Sequence, residues 1–496
     1  MEEQLQGLAD WVRNQLLSKK LNSLLGIVLL VLTSAVIAAI TAQFGMKGGI
    51  IALGGIIGLG IVLTSLFNQY IGVYFILILG SLVTYLSKIV DLPFGTSLDL
   101  LLVVMTLGVL MKQTYKRDLQ FLNTPLTIPI IIWIGFNLIQ VINPAAVSKL
   151  AWVYTVRSMA ILILLYFIAC YAFNSYRRIV NVFKFMLGIA FISALYGMFQ
   201  EYYGFTQFEL TWLYSDPKRF QLIFQWARLR VFSFFSDPTN YGMFMSYFGV
   251  ICTILIMGPY KLWQKATLGI AALSMFWAIG LAGSRTPVLL VPFGFFIFTL
   301  LTLNKKVLLT MCFLILLGSG FVMKSTSSAV LFRIQSAFLI DKSADTMNVR
   351  FRNQKMIQPF IQSHPFGAGL GSAGEWGARF APDSILAKFP PDSGLVRIAV
   401  ELGWIGLIIY CLLLLKIIHF STYCYLRVKH PKVKMIYLAL TIMMFMLILA
   451  SYPQEAIVQL PTSIFFYVSL AIIARLKDFE HQIWQEEADK ISINTR

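Results

Sequence analysis

Three arginines stand where they could bind a phosphate group. Arg230 precedes the motif Ser233-Phe-Phe-Ser-Asp237-Pro at the start of an apolar run, and Arg285 lies in a very short turn between two apolar runs. Arg350 lies in a long polar loop. A guanidinium group is always charged and binds phosphate oxygens in pairs. Three of them could hold a diphosphate and stabilise it as it leaves. The alternative is that each arginine only extends toward lipid head groups at a helix end.

His364 is a second kind of candidate. It precedes the turn Gly367-Ala-Gly369-Leu-Gly371, where backbone N–H groups could approach an anion closely. The imidazole could contact phosphate or accept a proton, or it could simply hydrogen-bond a backbone carbonyl. The glycine turn is not a nucleotide-binding loop, since no strand precedes it and no Gly-Lys-Ser/Thr follows.

Further polar residues are candidates for binding substrate or accepting a proton. Arg157 falls inside an apolar run, where a charge is costly and a functional or paired role is the default hypothesis. Asp237 and Asp392 each precede a predicted helix and could serve as caps instead. The spacing of the acids pairs no two of them, and it contains no metal-binding pattern, so no metal or cofactor is predicted. The residues predicted to bind substrate are Arg157, Arg352, Asp237, Gly367, Gly369 and Glu401.

The composition indicates a chain that lies mostly in lipid. Of its 496 residues, 58% are hydrophobic and only 12% are charged, which is typical of an all-α polytopic membrane protein. The net charge of +18 comes from short Lys and Arg clusters between apolar runs. This arrangement favours anchoring to anionic lipid and argues against nucleic acid as a partner. The five cysteines show no disulfide or metal spacing.

About fourteen apolar runs are long enough to cross a bilayer. They are predicted at 22–42, 48–66, 71–87, 97–113, 125–142, 150–172, 180–202, 239–257, 264–282, 286–302, 305–323, 396–416, 433–450 and 459–476. With fourteen spans, the Lys and Arg clusters of alternate loops fall on one face, which is then cytoplasmic together with both termini. The three arginines fall on the opposite face.

The chain is predicted to be a single transmembrane domain, 1–496, with two long extracytoplasmic loops, 203–238 and 324–395. Loops of this length are usually functional or disordered, and their many aromatic and aliphatic residues argue against disorder. The apolar spacing predicts short surface helices at 327–340 and 347–362. The second loop contains most of the candidate residues.

These motifs together resemble the O-antigen polymerase and O-antigen ligase superfamily of integral membrane glycosyltransferases. The resemblance covers about residues 225–410. It rests on Arg230-x-x-Ser-x-Phe-x-Asp-Pro, on Ser284-Arg285, and on Arg350 fourteen residues before His364-Pro-x-Gly-x-Gly. The motif Glu401-Leu-Gly-x-Ile-Gly-Leu completes it.

The resemblance implies a donor glycan carried on undecaprenyl diphosphate and transferred with inversion, without a metal or a nucleotide sugar. Family arginines that bind the diphosphate correspond to Arg230, Arg285 and Arg350. Ligases of this family often have a His-Asn or His-Ser pair shortly before the Glu-Leu-Gly helix. Here Pro390-Pro-Asp392-Ser393 occupies that place, so Asp392 is the substitute base to test, and polymerase is favoured over ligase.

The sequence therefore predicts a polysaccharide polymerase of the bacterial inner membrane, with its active site on the extracytoplasmic face. It would join lipid-linked repeat units, with a chain-length regulator protein as a further candidate partner. The first alternative is a ligase that transfers the glycan to lipid A-core or to a protein. The second is a transporter or flippase for the lipid-linked glycan. The absence of an obvious repeat and the polar residues on one face argue against the transporter.

Overall fold

The computed structural model describes residues 24–89, 94–146, 148–225, 228–303, 335, 345–389 and 393–485. Of the described residues, about 82% are helical and almost none is in a strand, which agrees with the all-α polytopic class predicted from the sequence. The predicted helix at 327–340, the predicted span at 305–323 and Asp392 lie outside the described residues, apart from Gln335.

The described elements are numbered in chain order. The first are α1 (Leu24–Phe67), α2 (Gln69–Ile89), α3 (Phe94–Lys116), α4 (Thr127–Ile139), α5 (Lys149–Ala172), α6 (Tyr176–Tyr202), α7 (Gln207–Tyr214), α8 (Pro217–Ile223), β1 (Phe224–Gln225) and β2 (Arg228–Leu229). The remainder are α9 (Pro238–Ile256), α10 (Leu262–Ala282), α11 (Arg285–Thr302), α12 (Asp345–Ser363), α13 (Gly374–Phe380), α14 (Gly394–Arg427), α15 (Pro431–Ala450) and α16 (Thr462–Arg475). Strands β1 and β2 form an antiparallel hairpin.

Nine helices within the described part of the chain are long and apolar enough to cross a membrane. They are α2, α3, α5, α6, α9, α10, α11, α14 and α15. Shorter apolar helices occupy Val31–Gly45, Ala52–Phe67 and Thr127–Ile142, where three more spans are predicted. Helix α16 has 14 residues at the position of the last predicted span. The predicted number of fourteen spans thus remains a prediction.

The chain divides into two compact units, Met1–Thr64 and Ser65–Arg496. The first contains most of α1, which bends at Gly45, where φ is 67°. A positive φ is tolerated by glycine because it has no Cβ. The second unit contains all the candidate site residues.

Helix α9 is the centre of the second unit. Of its membrane-length window, 83% is buried inside the protein, against 33–56% for α2, α3, α5, α6, α10, α11 and α14. Its aromatic side chains pack on α16, where the Phe465 ring lies 4.9 Å from Phe244 and 5.5 Å from Phe248, edge to face in both cases. Edge-to-face packing is a favoured geometry of aromatic pairs. The central helix is therefore fixed from several sides, and its N-terminus provides a firm support for the residues around it.

Several segments that the sequence assigns to the outer face contact one another. Lys88, at the end of α2, donates to the Phe235 carbonyl at 2.7 Å. Asn143, after α4, donates to the Phe366 carbonyl at 3.0 Å. These contacts join segments that are 147 and 223 residues apart in sequence.

Candidate active site

The turn between α10 and α11 presents Arg285. Helix α10 ends at Ala282, Gly283 follows with φ of 61°, and Ser284 is extended before Arg285 begins α11. A left-handed residue just after a helix is a common way to end it, and glycine adopts that conformation without steric cost. The Gly283-Ser284-Arg285 sequence thus reverses the chain in two residues and leaves the arginine at the start of the next helix.

Arg230 holds this turn in place from inside the protein. It is only 7% exposed. Its Nε donates to the Ala282 carbonyl at 3.0 Å, and Nη2 donates to Ser284 Oγ. The same Nη2 lies 3.4 Å from Thr239 Oγ1 at the start of α9. Because a guanidinium group is planar and rigid, it fixes the end of α10 relative to the start of α9.

The remaining nitrogen of Arg230 is also occupied. Nη1 donates to the Leu222 carbonyl at 3.3 Å and to Gln225 Oε1 at 3.1 Å. All three guanidinium nitrogens therefore donate to the protein in this structure. The geometry gives Arg230 a positioning role for the α10–α11 turn.

Arg285 is arranged quite differently. Its side chain is exposed, and within the described residues no hydrogen bond or ion pair engages it. The N-terminus of α11 also lacks a side-chain cap, because the Ser284 hydroxyl is held by Arg230 and by Thr239 Oγ1 at 2.8 Å. A helix N-terminus has backbone N–H groups without partners and favours anions. Arg285 and the start of α11 can thus bind an anion together.

Asp237 caps α9. Its Oδ1 accepts from the backbone N–H groups of Thr239 and Asn240, both at 2.9 Å, and its Oδ2 accepts from Ser236 Oγ at 2.9 Å. An aspartate in this position satisfies N–H groups that have no partner within the helix. This contact is structural, and it holds the start of α9 beside Arg230.

The glycine-rich turn packs closely against a kink in α14. Gly367 and Gly403 have φ of 70° each, and Gly403 interrupts the helical conformation of α14. A Cβ on Gly367 would lie 2.4 Å from the Gly403 nitrogen, and one on Gly403 would lie 2.0 Å from the Pro365 carbonyl oxygen. A Cβ on Gly369 would lie 2.7 Å from that of Ala146. These glycines are required for close backbone approach, whatever else they contact.

His364 lies at the end of α12, half-buried. Its ring stacks on Phe360 with centroids 4.1 Å apart, and Nδ1 lies 3.0 Å from the Phe360 carbonyl oxygen. Nδ1 also lies 2.9 Å from Ser363 Oγ. Nε2 has no hydrogen-bond partner among the described residues.

Helix α12 contains the two remaining predicted arginines. It runs from Asp345 to Ser363, where the spacing of apolar residues predicts a helix at 347–362. Arg350 lies in its second turn, and Arg352 is exposed.

A buried ion cluster involves an arginine that sequence reasoning overlooked. Arg397 Nε lies 3.0 Å from Glu401 Oε1, and its Nη1 lies 2.7 Å from Glu455 Oε2. The side chains of Arg397, Glu401 and Glu455 are 20%, 2% and 17% exposed. The spacing of Arg397 and Glu401, four residues apart at the start of a predicted span, was the available signal.

This cluster lines a cavity of about 150 Å³. The cavity lies between the start of α14, the turn after α15, α5 and the segment around α13. Thr155, Leu370, Trp376 and Tyr410 are among its other lining residues.

Arg157 is paired. Its Nε lies 2.9 Å from Asp99 Oδ2, with side chains 38% and 17% exposed, and it lies over the Tyr154 ring at 5.9 Å. The ion pair joins the second turn of α3 to the third turn of α5. Within the described residues, no group of three His, Cys, Asp or Glu side chains is placed to hold a metal ion.

The fold and these buried charges define a polytopic α-helical membrane protein with a polar region at the ends of its helices. The family model described as O-Antigen ligase (Wzy_C) matches residues 270–411, from within α10 to the middle of α14. The matched region contains Arg285, Arg350, His364 and Glu401. The match to this part of the chain supports a relationship to the O-antigen ligase/polymerase superfamily. No curated protein and no solved structure gives a significant match to the chain.

Proposed function

We propose that the protein is a cell-envelope polysaccharide polymerase of the bacterial inner membrane. It transfers glycan from undecaprenyl diphosphate to a sugar hydroxyl of another lipid-linked repeat unit, on the extracytoplasmic face. The proposal takes its substrate class from the family match over residues 270–411. The observation that carries it is the exposed Arg285 at the uncapped start of α11.

The donor diphosphate is the anion that suits this position. Arg285 can bind two phosphate oxygens in the bidentate manner of guanidinium groups, and the α11 N-terminus adds backbone donors. Arg230 contributes by holding the Gly283-Ser284-Arg285 turn. As the bond between the sugar and the diphosphate breaks, negative charge grows on the leaving oxygen, and fixed cations nearby stabilise it.

The other predicted residues are assigned around this centre. Arg350 and Arg352 on α12 are proposed to bind the same diphosphate, and His364, whose Nε2 is available, contacts phosphate or accepts a proton. Arg157 is proposed to contact the substrate from the third turn of α5. Transfer is expected to invert the anomeric carbon without a metal, because a single direct displacement inverts configuration.

Ligation is the second candidate, because the matching family model is described as an O-antigen ligase. In that reaction the acceptor is lipid A-core or a protein instead of a second repeat unit. The sequence Pro390-Pro-Asp392-Ser393 before α14 lacks the His pair that many ligases have, and this favours polymerisation.

The test is glycan chain length in a deletion strain that carries either the wild type or Arg285→Ala, resolved by gel at equal protein level. Arg228→Ala is the matched control. Arg228 is also an exposed arginine, 3.3 Å from Glu201, in the loop before α9. Exposed ion pairs contribute little to stability, so this variant should make glycan of normal length.

Single repeat units on the final acceptor, both in the deletion strain and with Arg285→Ala, would support polymerisation. Long glycan that accumulates on undecaprenyl diphosphate would instead identify a ligase. Lipid-linked units trapped on the cytoplasmic face would refute both enzyme functions and indicate a transporter.

A further inference from the structure

The cavity beside Arg397 has the wrong charge for a diphosphate. One guanidinium faces two carboxylates, Glu401 and Glu455, so the cluster has a formal charge of −1 when all three groups are ionised. A second anion in this space would be repelled. Carboxylate oxygens accept hydrogen bonds from hydroxyl groups, so a neutral ligand rich in hydroxyls suits the cavity.

Glu401 contributes a second carboxylate oxygen to this cluster. Glu401 is 1% exposed, and its Oε1 accepts from Arg397 Nε. Glu401 lines the cavity, and no hydrogen bond to its Oε2 joins the described residues. This oxygen can therefore accept a hydrogen bond from a ligand hydroxyl.

An aromatic surface closes the same cavity. Trp376 of α13 lines it and stacks on Tyr154 of α5, with ring centroids 4.8 Å apart and planes inclined by 25°. Phe380 extends the stack at 5.2 Å from Tyr154. An aromatic face offers a flat apolar surface, and the C–H face of a sugar ring packs well on such a surface while its hydroxyls remain free for the carboxylates.

The size of the cavity agrees with one sugar ring. A cavity of about 150 Å³ accepts a six-membered ring such as benzene, and binding sites for larger molecules are typically about 300–1,000 Å³. The space next to Arg397 is about 150 Å³. One ring of a longer glycan can enter while the remainder of the glycan stays outside.

We propose that this cavity is the acceptor subsite, where the terminal sugar of the acceptor glycan packs on Trp376 and directs its hydroxyls to Glu401 and Glu455. This inference rests on the proposed function. It places the donor at Arg285 and the acceptor at Arg397, so that the two substrates occupy sites of opposite charge.

Glu455 is the proton acceptor of the reaction. The acceptor oxygen forms a bond to the anomeric carbon of the donor sugar while the bond from that carbon to the phosphate oxygen breaks. The electron pair of the broken bond leaves with undecaprenyl diphosphate, and the hydroxyl proton moves to the Glu455 carboxylate. Glu455 is 17% exposed and Glu401 only 2%, so Glu455 can return the proton to water afterwards. Arg397 holds both carboxylates in place.

The test uses the purified full-length protein in detergent. The donor is the lipid-linked repeat unit extracted from the deletion strain, and the acceptor is the free repeat-unit oligosaccharide released from it by mild acid. Trp376→Ala should raise the acceptor concentration for half-maximal rate about tenfold, with little change in the maximal rate. Trp376→Phe, which keeps an aromatic face, should stay near the wild type. Glu455→Gln should lower the maximal rate about 100-fold or more, the usual effect of losing a general base, and remove the acidic limb of the pH profile.

Glu375→Gln is the matched control. Glu375 is exposed on the same short helix as Trp376, and its substitution should change neither parameter. Thermal unfolding of each variant separates misfolding from loss of function. If the wild type is active, and if Trp376→Ala and Glu455→Gln are folded and have wild-type kinetics, the acceptor subsite is refuted while the proposed function stands. The subsite would also be refuted if Trp376→Ala lowered the transfer rate by the same factor at limiting and at saturating acceptor concentration. An inactive wild type would refute the proposed function and the subsite with it.

Discussion

Substitution of Arg230 by lysine separates positioning from phosphate binding. The lysine keeps the positive charge but replaces a planar fork by a single nitrogen with three N–H donors. In the wild type, Arg230 donates to five acceptors around the α10–α11 turn. The charge is thus conserved while the geometry is lost. If Arg230 acts by holding the turn, conservation of charge should not preserve activity.

The loss of stability expected for Arg230→Lys follows from the hydrogen bonds of Arg230. At least two of the five acceptors lose their donor, and each buried group left without a partner costs about 1–3 kcal/mol. The expected destabilisation is therefore about 2–6 kcal/mol, in a residue that is 7% exposed. Arg285→Ala removes an exposed side chain without a described partner, and most surface substitutions stay within about 0.5 kcal/mol.

The assay combines thermal unfolding in detergent with the rate of glycan transfer. Arg230→Lys should lower both the unfolding midpoint and the rate, and Arg285→Ala should lower the rate at an unchanged midpoint. The double variant gives the decisive comparison. If Arg230 acts through the turn that presents Arg285, the double variant transfers no more slowly than Arg285→Ala alone, because coupled residues are not additive.

Two results would refute this reasoning. An unchanged midpoint in Arg230→Lys would mean that the fork does not hold the α10–α11 turn. Losses of rate that multiply in the double variant would mean that Arg230 contributes to the reaction independently of Arg285.

Three further substitutions test the supports of the site by thermal unfolding. Gly367→Ala should lower the free energy of unfolding by about 2–5 kcal/mol, because φ is 70° and the new Cβ would lie 2.4 Å from a backbone atom. Gly188→Ala is the control: its new Cβ would have no atom within 4 Å, so this variant should be as stable as the wild type or more stable. Equal effects of the two substitutions would contradict the packing argument. Glu209→Ala should lower the free energy of unfolding by about 2–5 kcal/mol, because this buried carboxylate accepts four hydrogen bonds. A loss below about 1 kcal/mol would contradict the stabilising role of these hydrogen bonds. Asp99→Asn should cost about 1 kcal/mol or less, because its ion pair with Arg157 is partly exposed; a larger loss would show a structural pair.

The sequence predicted much of the secondary structure. Long apolar runs can cross a membrane only as helices or closed barrels, because backbone polar groups must be satisfied within the lipid. For this reason, the positions of α2, α3, α5, α6, α9, α10, α11, α14 and α15 were apparent from hydropathy. The hairpin β1–β2 was not predicted, since its two-residue strands have too few residues to show a periodic pattern.

The sequence did not show which acidic residue contacts which arginine. Arg230 is predicted from the sequence to bind phosphate, whereas its hydrogen bonds to Ala282 and Ser284 became apparent only in the folded structure. Glu455 has no sequence relation to Arg397, 58 residues away. Contacts of this kind depend on the packing of helices that are far apart in the chain, and spacing within one helix cannot encode them.

The sequence by itself indicated an apolar helical chain that lies in a membrane, with superfamily motifs and with arginines at helix ends that are predicted to bind phosphate. These properties depend on residue type and local spacing, which the chain carries directly. Only the tertiary structure decided which of these residues are buried, which are exposed and which contact one another. In the folded protein, Arg230 is buried and each of its guanidinium nitrogens donates hydrogen bonds, whereas Arg285 is exposed. The packing of α14 against the turn after α15 creates a cavity beside one guanidinium group and two carboxylates. Burial and long-range contact exist only after the helices have packed.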